Sequence, residues 1–303
     1  MLRTIEYLLI VVAVAMIIII SYWVGQEAYH WMPIQATTDA ERIDNLFSFL
    51  VCMSSIIFLC VVGMIAYSIL TCRADPGDYR EGHPSRGNLK IEAIWTGIPI
   101  LLVLWISGYG FYIYDQMDIA GPQQVLAEFH LPWGTKPAYA ETVPPDSEPT
   151  VEIEVISQQW NWSFRYPQQN VTSTELHLPV NQRVRLVLQS NDVLHGFYIP
   201  EFRIKQDIIP NRPIDFQFIP TREGHYQLQD SQFSGTYFAL MQADVYVDSL
   251  ENYDQWLAQA ASHEPTLANN QAVSEYETPP KRLFQSHWHT TLPTPPPVVN
   301  YAS

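Results

Sequence analysis

Cysteine is scarce in this chain, and its distribution is informative. Three cysteines occur in 303 residues, at Cys52, Cys60 and Cys72, and none follows residue 72. The remainder of the chain therefore has no disulfide and no thiolate, the ligand that most copper electron-transfer sites require. No C-x-x-C-H string is present, which excludes covalent haem attachment. Basic residues are few: 16 Lys and Arg against 31 Asp and Glu leave a net charge of -15, most of it beyond residue 115. That balance excludes nucleic acid and an anionic membrane surface as partners of this region and leaves a basic partner permitted.

Apolar residues make up 47% of the chain and are concentrated at the front. Residues 5–24 form a run long enough to cross a bilayer, about 20 residues at 1.5 Å each. Further runs cover about 45–71 and 93–114. Residues 1–25 read as a hydrophobic anchor or a signal segment. The anchor is the better reading, because the run exceeds the usual signal core and no clear A-x-A site follows. The loop after the second run holds Arg73, Arg80, Arg86 and Lys90, whereas the loop before it holds only Arg42. Positive charge stays cytoplasmic, so the region beyond the third run lies on the opposite side, in the periplasm or a lumen.

Five regions follow: the anchor at 1–25, a transmembrane hairpin at 45–115, an acidic Pro-rich linker at 116–150, a β domain at 151–248, and a helix with a Pro-rich tail at 249–303. Stretches such as VEIEVI and RVRLVLQ alternate with period two and are separated by Pro, Asn, Asp and Gly. This pattern predicts an antiparallel sandwich or Greek-key barrel. Residues 250–262 predict an amphipathic helix with Ser249 as its cap, and little regular structure is expected from Pro265 onward.

Three strings narrow the family: IEAIWTGIPIL at 91–101, QQWNWSFRY at 158–166 and SNDVLHGFYIPEFRIKQDIIPNR at 190–212. They resemble, in order, a core helix, the aromatic segment and the first histidine-bearing strand of haem-copper terminal oxidase subunit II. WVGQEAYHWMPIQATTDAERIDNLF at 23–47 is similar to cyanobacterial members, including the alternative respiratory terminal oxidase. The resemblance implies a membrane-anchored all-β chain, with N-terminal transmembrane helices followed by a cupredoxin-like Greek-key β-barrel. It also implies packing against subunits I and III of a respiratory oxidase in the plasma or thylakoid membrane.

Members of that family that bind a binuclear copper centre carry, after the first histidine, a C-x-E-x-C-x-x-x-H-x-x-M string. Here the aligned residues are D-S-Q-F-S-G-T-Y-F-A-L-M. His195 and Met241 match; Asp230 and Ser234 replace the thiolates, Gln232 the glutamate and Phe238 the second histidine. A carboxylate and a hydroxyl are hard ligands that bridge Cu(I) weakly, and Phe238 has no lone pair. These six positions are therefore expected to be vestigial, with no metal or other cofactor bound by this chain, and haem and copper expected in subunit I. A mononuclear site from His195, Asp230, Met241 and His225 is the alternative. The plainer reading, a hydrogen-bonded His195, is preferred because a second nitrogen ligand is lacking.

Trp160 aligns with the family's electron-entry tryptophan and is read as an aromatic at the barrel surface against the catalytic subunit, and Trp162 as a core or interface residue. Glu92 aligns with a glutamate at the mouth of a proton channel. It is equally suited to complement the dipole of its helix. Lys205, Asp207 and Arg212 match a charged loop facing the catalytic subunit. The function implied is that of a non-catalytic subunit of a quinol-oxidising terminal oxidase, with quinol held by subunit I, dioxygen reduced to water and protons translocated. The alternatives are a copper-binding cytochrome c oxidase subunit 2 and a mononuclear copper carrier or assembly module.

Overall fold

The computed structural model describes residues 2–73, 77, 87–117, 150–278 and 291–301. The linker read at 116–150, most of the basic loop and the TPPKR stretch fall largely outside these. The chain divides into two compact units: Met1–Met32 with Arg42–Gln116, and Pro33–Glu41 with Met117–Ser303.

The first unit is helical. α1 (Leu2–Glu27), α2 (Thr38–Thr71) and α3 (Leu89–Gln116) are each long and apolar enough to span a bilayer. α2 starts ahead of its apolar run because Thr37 Oγ1 accepts the Ala40 N–H at 3.2 Å, and Asp39 and Glu41 suit the positive end of the helix. α1 meets α2 through small residues: Ser21, Gly25 and Ala28 are buried, and Ser48 Oγ donates to the Gly25 carbonyl at 2.7 Å. Tyr29 adds a 2.6 Å hydrogen bond to Asn45. The outer surfaces stay apolar, with Leu101, Val103 and Trp105 more than half exposed.

The second unit is a β-sandwich. Its first sheet has the order β3-β2-β1-β5-β8, from β1 (Val151–Gln158), β2 (Asn161–Tyr166), β3 (Val171–Ser173), β5 (Val184–Ser190) and β8 (Ile214–Phe218). The second has the order β4-β10-β9-β6-β7, from β4 (Leu176–Pro179), β6 (His195–Ile199), β7 (Ile204–Ile208), β9 (Gly224–Asp230) and β10 (Gln242–Asp248). Two pairings, β1 with β5 and β10 with β4, are parallel and the rest antiparallel. Period-two patterning appears directly as burial: β5 alternates buried and half-buried along its whole length. Ile153, Val155, Leu186 and Leu188 from one sheet share a core with Leu178, Phe197, Leu228 and Val245 from the other.

Two segments outside the strands belong to this unit. Residues 33–38 bind its edge, through Ala36 N–H to the Glu201 carbonyl at 3.0 Å and Thr37 Oγ1 to the Phe202 carbonyl at 2.9 Å. At the other end, α4 (Leu250–Ser262) is capped as expected, Ser249 Oγ accepting the Asn252 N–H at 3.3 Å. It buries Tyr253, Trp256, Leu257 and Ala260, one helical face. The expectation of little structure beyond Pro265 needs correction. α5 (Gln271–Glu277) and a small ladder of β11 (Thr266–Leu267) with β12 (Val298–Val299) form there. Asn270 caps α5, and the tail finds the otherwise unpaired edge of β3, with Asn300 N–H to the Thr172 carbonyl at 2.8 Å.

Candidate functional site

β6 begins at His195, and β9 ends at Asp230, which lies opposite Phe197 of β6. Pairing thus brings both residues to one end of the second sheet. His195 is fully buried, with Nδ1 at 2.8 Å from Asp230 Oδ2 and Nε2 at 2.9 Å from Asp192 Oδ1. A neutral imidazole has one N–H and serves only one of these carboxylates, so the geometry calls for the imidazolium.

Asp230 is saturated with donors. Its Oδ1 accepts the N–H groups of Gly196 at 2.7 Å and Gln232 at 3.0 Å, and its Oδ2 also accepts the Ser234 hydroxyl at 2.8 Å. Asp192 accepts the N–H groups of Val193 at 2.7 Å and Gln159 at 2.6 Å. Burial pulls the His195 pKa down, but its hydrogen bonds to Asp192 and Asp230 outweigh this and leave it above the ordinary 6.5. For both aspartates burial pushes upward, and the bond to His195 with the backbone donors brings them below 3.8. The result is one cation between two anions, a closed arrangement that fastens three chain segments together.

The other expected positions divide. Met241 is buried, and its carbonyl accepts both Trp162 Nε1–H at 3.2 Å and Asp230 N–H at 3.1 Å. Gln232 turns its side-chain amide to Asp207 Oδ1 at 2.7 Å. Phe238 packs edge-on against Phe233, 5.1 Å between centroids, and Phe233 is 79% exposed. His225 does not join: it pairs with Asp244 at 2.7 Å and sits five residues along β9 from Asp230, roughly 16 Å away. Among the described residues, no three His, Cys, Asp or Glu side chains are placed to hold a metal ion.

The surface reading of Trp160 is corrected, and of the two readings of Trp162 it is the core one that the structure shows. Both are 2% exposed and belong to the core of the β domain. Trp160 packs edge-on against Tyr237 at 5.1 Å, and Trp162 lies 6.0 Å from Phe197 and 6.3 Å from His195. Strand alternation turns Trp162 inward, and the 231–237 loop closes over Trp160, whose ring lies 2.7 Å from where a Cβ at Gly235 would stand. Glu92 is in the first turn of α3 and half-buried; Asn88 caps that helix by accepting the Lys90 N–H at 3.0 Å.

Family models match over two stretches, the transmembrane domain of cytochrome c oxidase subunit II at residues 21–113 and its periplasmic domain at 169–248. A cytochrome c oxidase subunit 2 of Synechocystis sp. is 31% identical over 265 residues, covering 80% of this chain and 79% of that protein. The chain belongs to the cytochrome c oxidase subunit II family. An alternative cytochrome c oxidase subunit 2 of Bradyrhizobium diazoefficiens is 25% identical over 301 residues, covering 86% of this chain and 96% of that protein. The periplasmic domain of subunit II of cytochrome oxidase of Bradyrhizobium japonicum covers 37% of this chain and 93% of its own, at 25% identity and a TM-score of 0.35. As a family member, the chain is subunit II of a haem-copper oxidase, a membrane protein whose C-terminal β domain is periplasmic.

The residues present do not fit the family's binuclear copper centre. The two thiolate positions hold a carboxylate and a hydroxyl that bind each other, Phe238 offers no lone pair, and both His195 nitrogens are engaged. Sequence reading missed Asp192, the second partner of His195, although it stands only three residues ahead of it. It also missed Gln159, which ties the β1–β2 turn to Asp192 and donates to the Ser234 carbonyl at 2.6 Å. Gln159 carried no signal, since its role depends on loops far apart in the chain.

Proposed function

We propose that this chain is the subunit II of a quinol-oxidising haem-copper terminal oxidase and that it holds no copper centre and no other redox cofactor. The observation that carries the reading is Asp230. At the first thiolate position of the family's copper string, its carboxylate takes hydrogen bonds from His195, Gly196, Gln232 and Ser234. A buried hub so fully paired is stable as it stands, and opening it to a cation would leave a charge unpaired.

On this reading the chain takes no part in the chemistry of dioxygen reduction. Haem and the dioxygen-reducing copper belong to subunit I, which also binds the quinol. The apolar flanks of α2 and α3 pack in the membrane against subunit I, with subunit III completing the assembly, and the β domain covers the periplasmic side. Glu92, half-buried at the cytoplasmic start of α3, collects protons for translocation.

The test uses the purified whole complex. Dioxygen uptake is expected with a quinol and not with reduced cytochrome c, and copper is expected at the level of the subunit I site alone. Glu92→Gln should slow quinol-driven turnover several-fold. Turnover on reduced cytochrome c with extra copper would sink the quinol reading; unchanged turnover in Glu92→Gln would remove only the proton role.

A further inference from the structure

A second histidine bridged by two carboxylates lies on β4, in a part of the β domain that the His195 network does not use. His177 Nδ1 is 2.9 Å from Asp248 Oδ2 of β10, and Nε2 is 3.3 Å from Glu175 Oε2. As at His195, two carboxylates facing the two ring nitrogens require both nitrogens to carry hydrogen. The backbone of His177 is fixed independently: the Tyr166 hydroxyl donates to its carbonyl at 3.1 Å and accepts its N–H at 2.8 Å.

The ring is also clasped from both faces. Trp256 of α4 stacks on one side with centroids 3.8 Å apart and planes at 13°, and Tyr246 of β10 on the other at 4.7 Å and 20°. His225 continues the row beyond Tyr246 at 4.7 Å. Tyr301, from the end of the chain, lies edge-on to both His177 and Trp256 at 6.3 and 5.8 Å. Among the described residues the buried Trp256 indole N–H has no hydrogen-bond partner, and the contacts of this side chain there are made by its ring. An indole face is the strongest aromatic partner for a cation.

We propose that His177, as an imidazolium clasped by Trp256, is a proton-controlled latch that holds α4 and the C-terminal segment against the second sheet. Loss of the proton leaves a ring lone pair pointing at a carboxylate and removes the cation from the indole face, so both contacts weaken together. The groups facing the ring are Glu175 beside β4, Asp248 and Tyr246 from β10, Tyr166 from β2, Trp256 from α4 and Tyr301 from the tail. Further out stand His225 with its partner Asp244. Tyr253 of α4 is buried, which pushes its hydroxyl pKa well up, so it stays neutral throughout. At His177 burial pulls the pKa down, but the bonds to Asp248 and Glu175 prevail and hold it above 6.5. The latch is therefore complete below about pH 6.5 and released as pH rises through the raised value. It operates whichever electron donor the oxidase uses.

Hydrogen exchange on the full chain in its complex tests this, with each amide corrected for its intrinsic rate and β1 amides as the reference. Protection of the α4 amides is expected to fall at least tenfold between pH 6 and pH 9.5 while β1 stays protected. His177→Gln should show the low value at every pH. In Asp248→Asn the ring keeps only the Glu175 carboxylate and holds its proton less tightly, so the loss of α4 protection should move to lower pH; this variant decides if His177→Gln does not fold. Flat protection in the wild type, an unchanged transition in either variant, or equal loss in β1 would each overturn the latch.

Discussion

His195 and Asp230 meet with Nδ1 and Oδ2 2.8 Å apart and both side chains withdrawn from solvent, at two positions that in copper-binding relatives supply metal ligands. A proton takes the bridging place between them, and the imidazolium it makes ties the loops together.

Removing that carboxylate leaves a buried imidazolium short of a partner and two backbone N–H groups unpaired. Asp230→Ala is therefore expected to destabilise the β domain by about 3–5 kcal/mol, the usual cost of breaking a buried ion pair from one side. Asp230→Asn keeps the shape and should cost less. Denaturant unfolding of the full chain in detergent measures both; a loss below about 1 kcal/mol for the alanine variant would contradict the hub.

The same network fixes a pH window. His195 has a raised pKa, so its contribution is complete below about 6.5 and is lost as pH rises through the raised value. Asp192 and Asp230 have lowered values, so theirs is present above about 3.8 and lost as pH falls through them. Stability from this source should be greatest between these limits, and Asp192→Asn should flatten the alkaline limb. Thermal melts at stepped pH check the sign, and rising stability from pH 6.5 to 9 would contradict it.

Gly25 lets α1 approach α2, since a Cβ there would stand 2.9 Å from Cys52 Cβ and 3.1 Å from the Ser48 carbonyl. Gly25→Leu is expected to force the helices apart and break the Ser48 hydrogen bond. With Cys60 and Cys72 changed to Ser, maleimide labelling of Cys52 in membranes should quicken. An unchanged labelling rate would mean that the helix pair does not depend on this contact.

Much of this organisation was legible in the residues. Three apolar runs announced three helices, alternation in VEIEVI and RVRLVLQ announced strands, and Ser249 announced a helix start that its 3.3 Å cap bond bears out. The replaced ligands at 230, 234 and 238 could also be read directly, because donor chemistry belongs to the residue type. The tail was less legible: its short elements depend on pairing with β3 and on the Asn270 cap, not on any periodic pattern of its own.

By itself, then, the sequence determined the membrane spans, the sheet-forming segments, the family and the absence of thiolates beyond Cys72, since each follows from composition or local period. Only the tertiary structure decided that Asp192 completes the His195 pair, that Trp160 and Trp162 turn inward, and that Trp256 lies flat on His177. Those facts rest on contacts between residues distant in the chain, whose distances and angles come into being only when the sheets close around one core.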